Sequence, residues 1–501
     1  MAKRSFTRRE FLKVSALGTS AMALSSCTSM DRYFMGDSRD LKNEVLILGA
    51  GAAGLSAAFE LKRNKVPFRI FEASSRIGGR VQSVAAYQEQ GPIAELGAEY
   101  IDLSHTDVFN LAKELNLPLT ELKSLPNLEA HLFSFAGKTY RVKELVPKLK
   151  SLQTPLRRIR SDLYRDQEVV LNHANSLQYE RSLYYDTLSL KDLLESWVTE
   201  VDPVILKLIE VQAVQRFGVD AKDQSALHFL STLDGEGSSL LSGRTTHRMD
   251  GGLSGMTQTL AARVAGVIPD HILRLNSALI EVEEKENVFT FVFATPKGKE
   301  RITARTVICT IPFSKLREVK GIEKLRFSDL KHENIKNQAY ATHSKVIIPF
   351  AVPFWNARRG NTPANVGNFT GDFTSQKIWD SSRAQEVSQG LLTSQRAGNS
   401  GAKAGAVAVD ETLKDLKLFY NDIPNYEDWG AQVANWSTRK WSAGSMSVFK
   451  PGQYMKYKGV AAIPEYDGKF LFAGEHTSLR FAGTLQGAIE TGIKAAQTIT
   501  V

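Results

Sequence analysis

The chain has 501 residues, with 63 Lys and Arg against 54 Asp and Glu, a net charge of +9 and two cysteines. This length accommodates two or three domains around a large core, and the composition is ordinary for a globular protein. The positive charge is mild and forms no basic stripe with interleaved aromatic residues, so nucleic acid is excluded as an expected partner. The sequence has no HExxH motif and no paired Cys/His spacing, so we expect no metal site.

The first residues are predicted to be an export signal. Arg8 and Arg9 precede an apolar stretch that ends in a Leu-Ser-Ser-Cys segment at Cys27. The order basic, apolar, small and cysteine is typical of a lipoprotein signal of the twin-arginine type. We therefore predict a signal peptide over residues 1–26, lipidation of Cys27, a tether over residues 27–43, and a protein anchored to a membrane on the periplasmic or cell-surface side. The alternative is a frayed basic N-terminus. Removal of the signal would leave 58 basic and 53 acidic residues, a net charge of +5.

A dinucleotide-binding fingerprint follows in residues 44–72. A short apolar strand leads into Gly49-Ala50-Gly51-Ala52-Ala53-Gly54, then into a helical pattern and a second strand that ends on Glu72. Gly49 allows the tight turn, Gly51 lets the backbone approach a pyrophosphate, and Gly54 lets the helix pack closely on the strand. The helix N-terminus provides free N–H groups for phosphates, and Glu72 is placed to accept hydrogen bonds from a ribose.

The remaining chain alternates between helical and strand patterns. A second glycine pair occurs in Arg76-Ile77-Gly78-Gly79-Arg80, and residues 102–244 are mainly helical in pattern. The small-residue stretch from Gln395 to Gly405 is predicted to be a loop insertion. The other predicted elements are strands over residues 278–282, 288–293, 307–311, 345–350 and 470–472, and a helix over residues 484–498.

Taken in order, several motifs resemble the flavin-dependent amine oxidase superfamily, which includes monoamine oxidases, polyamine oxidases and L-amino acid oxidases. The motifs are EASSRIGGR from Glu72, ELGAEYI from Glu95, TVICTIP from Thr306, KVIIPFAVPFW from Lys345, and FAGEHTS from Phe472 followed by GTLQGAIETGIKAA from Gly483. The resemblance implies an α/β fold with a Rossmann-like FAD-binding domain and an interleaved α+β substrate-binding domain. It assigns residues 44–101, 245–320 and 456–501 to the first domain and residues 102–244 and 321–455 to the second.

The resemblance also implies the cofactor site. The cofactor is expected to be FAD, bound non-covalently, because Ser445 stands where members with a covalent flavin carry cysteine. The backbone of Leu279 is expected to meet the adenine, and Glu475 the ribityl or phosphate region. The full set of implied cofactor residues is Gly49, Gly51, Ala53, Gly54, Glu72, Ala73, Arg76, Gly79, Arg80, Gly97, Ala98, Leu279, Gly474, Glu475, Thr484 and Leu485.

Lys345 is the expected catalytic residue, because the family's active-site lysine stands at the same spacing before a Pro-Phe-Trp segment and holds a water beside the flavin. The expected substrate pocket includes Glu99, Tyr100, Met446 and Thr484. Met446 and Thr484 replace the aromatic walls that many members place beside the flavin. The substrate-carboxylate arginine of L-amino acid oxidases has no match in residues 97–100, which argues against an amino-acid substrate.

The expected reaction removes a hydride from the carbon next to an amine nitrogen, gives an imine and hydrogen peroxide, and uses dioxygen as the acceptor. Two alternatives stay open. One is an FAD-dependent oxidase or desaturase of a bulky apolar substrate, similar to protoporphyrinogen oxidases and carotenoid desaturases. The other is a flavoprotein that binds without catalysis or transfers electrons to a membrane partner.

Overall fold

The computed structural model describes residues 39–86, 91–164, 169–241, 245–266, 269–426 and 431–500. The predicted signal peptide, Cys27 and most of the predicted tether lie outside these ranges. Within them, no helix combines the length and the hydropathy that a membrane span requires.

The first sheet is built on the fingerprint. Strand Arg39–Leu48 lies at its centre, parallel to Phe68–Phe71 on one side and to Gly298–Cys309 on the other. The last residues of these strands, such as 45–48 and 307–309, are apolar and buried in succession, as expected for a parallel sheet covered by helices. The spatial order of the sheet is Leu273–Arg274, Phe68–Phe71, Arg39–Leu48, Gly298–Cys309, Val288–Thr295 and Ala278–Lys285, with Phe470–Phe472 also parallel to Gly298–Cys309.

Two helices cover one face of this sheet. Helix Ala52–Arg63 and the last helix, Leu485–Thr500, pack against each other, and a Cβ at Gly492 would overlap the carbonyl oxygen of Ala53. Apolar residues of both helices share one core cluster with the strands, including Leu55, Leu61 and Ile489. The close packing brings the N-termini of both helices to the carboxyl edge of the sheet, where α/β folds bind ligands.

The second sheet combines two distant parts of the chain. Its order is Gln432–Asn435, Ser344–Phe350, Gly390–Arg396, Lys377–Asp380, Phe369–Gly371, Leu132–Phe135 and Lys138–Arg141. Neighbouring strands are antiparallel except for the pair Phe369–Gly371 and Leu132–Phe135. The sheet therefore takes strands from residues 102–244 and from residues 321–455, the two stretches predicted to form one domain, although the domain boundaries themselves stay predictions.

Small sheets and helices complete the described structure. The small sheets are Ser83–Ala85 with Ile93–Glu95, Ala339–Tyr340 with Ser447–Val448, and Thr245–Met249 between Ile101–Asp102 and Leu119–Glu121. The other helices are Thr106–Glu114, Val142–Leu163, Glu180–Thr187, Leu190–Ser196, Pro203–Phe217, Ala226–Leu230, Ser254–Ala265, Pro269–Ile272, Phe313–Leu316, Asp329–Asn337, Gly398–Ala402, Ala408–Leu416 and Tyr454–Tyr457. The predicted α/β fold is thus confirmed.

Two local predictions differ from the structure. Strand Arg39–Leu48 begins inside the predicted tether, because Leu41 is buried in the core and pairs with Ala304 beyond an irregularity in the register. The predicted loop over Gln395–Gly405 was wrong over its first part, where the chain completes strand Gly390–Arg396 and forms helix Gly398–Ala402. Gly401 is small enough to approach the carbonyl oxygens of Thr342 and Arg396, which explains the small residues there.

Candidate active site

One cavity of about 630 Å³ joins the fingerprint to the second sheet. Its volume lies within the range usual for small-molecule and cofactor sites. Most of the residues predicted for the cofactor and the substrate line this cavity. They are Gly49, Gly51, Ala53, Glu72, Ala73, Arg76, Gly79, Arg80, Gly97, Ala98, Leu279, Lys345, Met446, Gly474, Glu475, Thr484 and Leu485.

The first glycine loop adopts the conformation that the motif predicts. Gly49 has a φ of +109°, and its N–H donates to Phe71 O at 2.8 Å. Gly54 does not line the cavity, because it faces the strand, where a Cβ would overlap the carbonyl oxygen of Gly49. Gly51 is different, since a Cβ there would meet only Gly79 Cα, at 3.9 Å, and the residue lines the cavity. One glycine is therefore needed for packing and another leaves space for a ligand.

Glu72 is held by backbone groups at the edge of the cavity. Ala50 N donates to Glu72 Oε2 at 2.8 Å and Ser74 N donates to Glu72 Oε1 at 2.8 Å. A carboxylate offers about four acceptor positions, so hydroxyl groups of a ligand can still bind to it. The structure thus places Glu72 where the predicted contact with a ribose can form.

Arg76 organises the second glycine loop. Its guanidinium donates to Ile77 O at 3.0 Å and Val81 O at 3.2 Å, and also to Gly79 O. Burial, together with the nearby charge of Arg439, lowers the pKa of Arg76 from its ordinary value. The loop contacts the first one, because Gly78 N donates to Ala50 O at 2.9 Å. The two glycine loops therefore form a single backbone surface on the cavity.

Glu475 links this surface to the last helix. Its Oε1 accepts from Arg80 Nη1 at 2.7 Å and Ser447 N at 3.0 Å, and its Oε2 accepts from Ser447 Oγ at 2.8 Å and Gly483 N at 2.8 Å. Burial acts to raise the pKa of Glu475, but the charge of Arg80 and these hydrogen bonds bring it below its usual range. Because the carboxylate is already fully hydrogen-bonded, it positions Arg80 and the turn at Gly483.

The last helix begins at the cavity. Thr484 and Leu485 line it, and Thr484 Oγ1 accepts from Gly487 N at 3.1 Å, which caps the first turn. The first N–H groups of a helix have no carbonyl acceptors within the helix, and the helix dipole makes this end positive. The end of the helix is thus suited to stabilise negative charge on a bound group.

Lys345 lies at the far end of the cavity, on strand Ser344–Phe350. The residue is 7% exposed, and its Nζ donates to Glu99 Oε2 at 2.7 Å and to Glu95 O at 2.9 Å. Trp379 Nε1 donates to the other oxygen of Glu99 at 3.0 Å. A buried lysine needs such partners, because an isolated charge is costly in the interior. An ammonium has three donors, so one N–H of Lys345 can still reach the cavity.

Glu99 and Tyr100 do not line the cavity as predicted. Glu99 is turned towards Lys345 and Trp379, and Tyr100 OH donates to Asp380 O at 3.3 Å. Glu99 therefore positions the lysine and is not placed to meet a substrate ammonium. The positions of these two side chains were not predicted correctly, because their hydrogen-bond partners lie on strands more than 200 residues away in the chain.

His343 and Ser445 form a neutral hydrogen-bonded pair beside Lys345. His343 Nε2 lies 2.8 Å from Gln215 O, so it must carry a proton, and Nδ1 accepts from Ser445 Oγ at 2.7 Å. Burial lowers the pKa of His343 to about 4, with a further contribution from Lys345. The imidazole is therefore neutral at physiological pH and adds no charge to the site.

Several lining residues were missed by sequence reasoning. They are Arg216, His343, Gln395, Trp436 and Trp441. Trp436 packs at Gly97 and donates from Nε1 to Leu96 O at 2.7 Å, which fixes the segment that faces the cavity. None of these residues belongs to a recognisable local motif, so only the packing of distant segments could reveal them.

Met446 and Thr484 both line the cavity, at the two positions where aromatic walls were expected. A Cβ at Gly483 would overlap Met446 Cε, so the methionine rests directly on the turn before the last helix. Met446 is flexible and adapts to irregular shapes. The site therefore lacks a rigid aromatic wall at these two positions.

The residues present fit FAD. Gly51 and Gly79 leave open backbone for a pyrophosphate, Glu72 can accept from a ribose, and the N-termini of two helices face the same cavity. Among the described residues, no group of three or more His, Cys, Asp or Glu side chains could hold a metal ion. Cys309 is buried within its strand, and burial raises its pKa to about 12, as for a packed rather than a reactive thiol.

Comparisons with known proteins agree with this geometry. The family described as flavin containing amine oxidoreductase matches residues 52–500. An L-amino-acid oxidase of Mus musculus is 26% identical over 477 residues, covering 91% of this chain and 70% of that protein. The flavin-dependent L-tryptophan oxidase RebO of Lentzea aerocolonigenes is 24% identical over 485 residues, covering 91% and 98%.

Solved structures show the same fold. Putrescine oxidase bound to putrescine aligns with a TM-score of 0.74 at 19% identity, covering 92% of this chain and 99% of that one. Cyclohexylamine oxidase from Brevibacterium oxydans IH-35A aligns with a TM-score of 0.75, also at 19% identity and with the same coverage.

The fold and the site define a flavin-dependent oxidoreductase whose cofactor is FAD. The chain belongs to the family of flavin-containing amine oxidoreductases, since the family match extends over nearly all of its described residues. The predicted superfamily, enzyme class and cofactor are confirmed.

Proposed function

We propose that the protein oxidises a small amine at the carbon next to nitrogen, giving an imine and hydrogen peroxide. The observation that carries this proposal is the buried Lys345, which lines the same cavity as both glycine loops. Bound FAD would supply the redox chemistry, taking two electrons from the substrate and passing them to dioxygen. FAD is proposed to be held without a covalent bond, because Ser445 offers no thiol.

The protein side chains would bind and orient the substrate. Lys345 and Glu99 together are neutral, and His343 is neutral, so this end of the cavity offers no uncompensated carboxylate to an ammonium ion. The substrate would therefore react as the neutral amine. The remaining N–H of Lys345 can donate to a water molecule or a substrate atom, and its positive charge can stabilise negative charge that develops on dioxygen.

The test is reduction of the FAD-loaded protein by an amine panel without oxygen. We expect at least one class of amine to bleach the flavin, and oxygen to restore its colour with release of hydrogen peroxide. Lys345→Met should slow the reaction with oxygen by about tenfold or more, because a preorganised positive charge is lost. Lys207→Met, at an exposed ion pair, is the control. A flavin that stays oxidised with every amine would refute the proposal.

A second candidate is oxidation of a bulky apolar substrate. The absence of aromatic walls at Met446 and Thr484 favours it, because a larger molecule could occupy that space. The polar groups of Lys345, His343 and Gln395 at the same end favour the amine. If no amine reduces the flavin, and flavin reduced chemically with dithionite is reoxidised faster by a quinone than by oxygen, electron transfer to a membrane partner becomes the better interpretation.

We also propose that the protein is exported by the twin-arginine route and anchored through lipid on Cys27. The support is the sequence pattern of residues 1–27, which lie outside the described structure. Cys27→Ala should release the protein from the membrane fraction, and substitution of both Arg8 and Arg9 by Lys should retain it in the cytoplasm. Membrane fractionation with mass spectrometry of the mature N-terminus measures both. An unprocessed N-terminus would contradict the proposal.

A further inference from the structure

The charged side chains at the cofactor end of the cavity do not cancel. Three carboxylates line the cavity, and the charge of each is matched by a nearby cation. The matched charges are Arg80 with Glu475, Lys315 with Glu318, and Arg76 with Glu72. Two further cationic residues at this end, Arg439 and Lys440, also line the cavity. Neither forms an ion pair with a carboxylate in the part of the chain that the structure describes, so this end has an excess of positive charge.

Arg439 and Lys440 lie against indole rings instead of carboxylates. The guanidinium of Arg439 lies 5.1 Å from the ring centroid of Trp436, and its Nη1 donates to Gln82 Oε1 at 3.3 Å. The Nζ of Lys440 lies 4.5 Å from the ring centroid of Trp441. An aromatic ring attracts a cation but does not neutralise its charge. Because a guanidinium has five N–H donors, Arg439 also keeps donors for a bound group.

Both cations belong to a short segment, residues 439–442, which we call the cationic loop. Trp436, just before the loop, is 4% exposed and donates from Nε1 to Leu96 O at 2.7 Å. Ser442, at the end of the loop, is 8% exposed, and its carbonyl oxygen accepts from Ser314 Oγ at 2.9 Å. The loop is thus held on both sides, and charges that are already in place lose less entropy when a ligand binds.

Arg439 and Arg76 bring like charges to the second glycine loop. Arg439 donates to Gln82, while Arg76 Nη1 donates to the carbonyl oxygen of the preceding residue, Val81, at 3.2 Å. The two charges repel, since the charge of Arg439 is, after burial, a cause of the lowered pKa of Arg76. Gly79 of the same loop lines the cavity. An anion bound at this loop would replace the repulsion between the two arginines by attraction to both.

We propose that Arg439 binds the pyrophosphate of FAD, with Lys440 adding attraction at longer range. The glycine loops offer backbone N–H groups to the pyrophosphate, and the cationic loop would supply the charge that balances it. A planar guanidinium can hold two phosphate oxygens through parallel hydrogen bonds, whereas an ammonium acts as a point charge. The inference rests on FAD as the cofactor and not on which substrate is oxidised.

The test is titration of the protein, freed of its cofactor, with FAD, followed by flavin fluorescence. Arg439→Gln should raise the Kd for FAD by about 10- to 100-fold, as expected for loss of a charged hydrogen bond. Arg439→Lys should restore part of the loss, because it keeps the charge but not the planar fork. Lys440→Gln should raise the Kd by about two- to fivefold, since an exposed charge contributes less. Arg157→Gln, at an exposed position on helix Val142–Leu163, is the matched control.

Stability without FAD separates ligand binding from a structural role. Arg439→Gln should have the same Tm as the wild type or a higher one when FAD is absent, because its repulsion of Arg76 is removed. The same variant should gain less Tm than the wild type when FAD is added. Release of FAD from the loaded protein, followed by the rise in flavin fluorescence, should be correspondingly faster.

Salt provides a readout of charge alone. An increase in NaCl from about 0.05 to 0.5 M should weaken FAD binding more in the wild type than in Arg439→Gln, because screening acts on the charge that the variant lacks. A Kd for FAD within about threefold of the wild type in Arg439→Gln, or a lower Tm without FAD together with an unchanged salt dependence, would overturn the proposal. These measurements read cofactor binding, so they stand whether or not an amine reduces the flavin.

Discussion

The two ends of the cavity are built in different ways. The cofactor end is formed mainly by backbone from consecutive residues, with Gly49 to Arg80 supplying both glycine loops. The substrate end is formed by side chains from three separate segments, represented by Lys345, Gln395 and Met446, and Glu99 pairs with Lys345 from outside the lining. Binding at the first end depends on how closely a ligand can approach the backbone. Binding at the second end depends on buried charges and hydrogen bonds of side chains.

Because of this difference, the two ends of the cavity should be sensitive to different kinds of substitution. A backbone surface depends on the absence of a side chain, so a single methyl group can block it even where charge is unchanged. A buried ion pair depends on both partners, and removal of one leaves an uncompensated charge in the interior. Substitutions at the two ends should therefore fail for different reasons, and stability and cofactor affinity should respond separately.

The largest effect is expected at the buried pair of Lys345 and Glu99, whose side chains are 8% and 5% exposed. Lys345→Met or Glu99→Gln alone should each lower the free energy of unfolding by about 3–5 kcal/mol, because the remaining charge stays buried. The double variant should lose less free energy of unfolding than the sum of the losses in the two single variants. Urea unfolding of the FAD-saturated protein measures all three.

The exposed ion pair of Lys207 with Glu210 is the control for this cycle, since both side chains are more than 40% exposed. Lys207→Met should cost less than about 1 kcal/mol. Strictly additive losses in the Lys345 and Glu99 variants would show that the two charges do not depend on each other, and would remove the basis for the positioning role of Glu99.

A smaller effect should distinguish two glycines of the same loop. Gly54→Ala should destabilise the protein by about 1–3 kcal/mol with or without added FAD, because the new Cβ overlaps Gly49 O inside the protein. Gly51→Ala should leave the stability without FAD nearly unchanged, since its Cβ has open space on the protein side. Gly51→Ala should instead weaken FAD binding at least about tenfold, because the pyrophosphate of FAD is expected to occupy that space.

Thermal unfolding with and without FAD, together with flavin fluorescence titration, measures both variants. Gly255→Ala, in helix Ser254–Ala265 with no atom within 4 Å of the new Cβ, is the matched control and should be stabilising by about 0.5–1 kcal/mol. Wild-type affinity of Gly51→Ala for FAD would contradict the placement of the pyrophosphate on this loop.

Sequence reasoning succeeded where neighbours along the chain create the site. The spacing of Gly49, Gly51 and Gly54 predicted a strand, a turn and a helix, and the structure has strand Arg39–Leu48 followed by helix Ala52–Arg63. It was less successful where residues meet across the fold. Glu99 was expected in the substrate pocket and lies instead against Lys345 and Trp379, and Arg216 was not expected in the site at all.

The sequence by itself therefore determined a dinucleotide-binding unit of strand, turn and helix, and the resemblance carried by its motifs determined the α/β fold, the family and FAD as the cofactor. The strand, turn and helix of this unit follow from local spacing, because glycine conformations and strand patterns depend on adjacent residues. Only the tertiary structure decided that Glu99 balances the charge of Lys345 and that Arg216 reaches the same cavity. Those contacts join segments more than 100 residues apart, and their electrostatics depend on burial that no local pattern encodes.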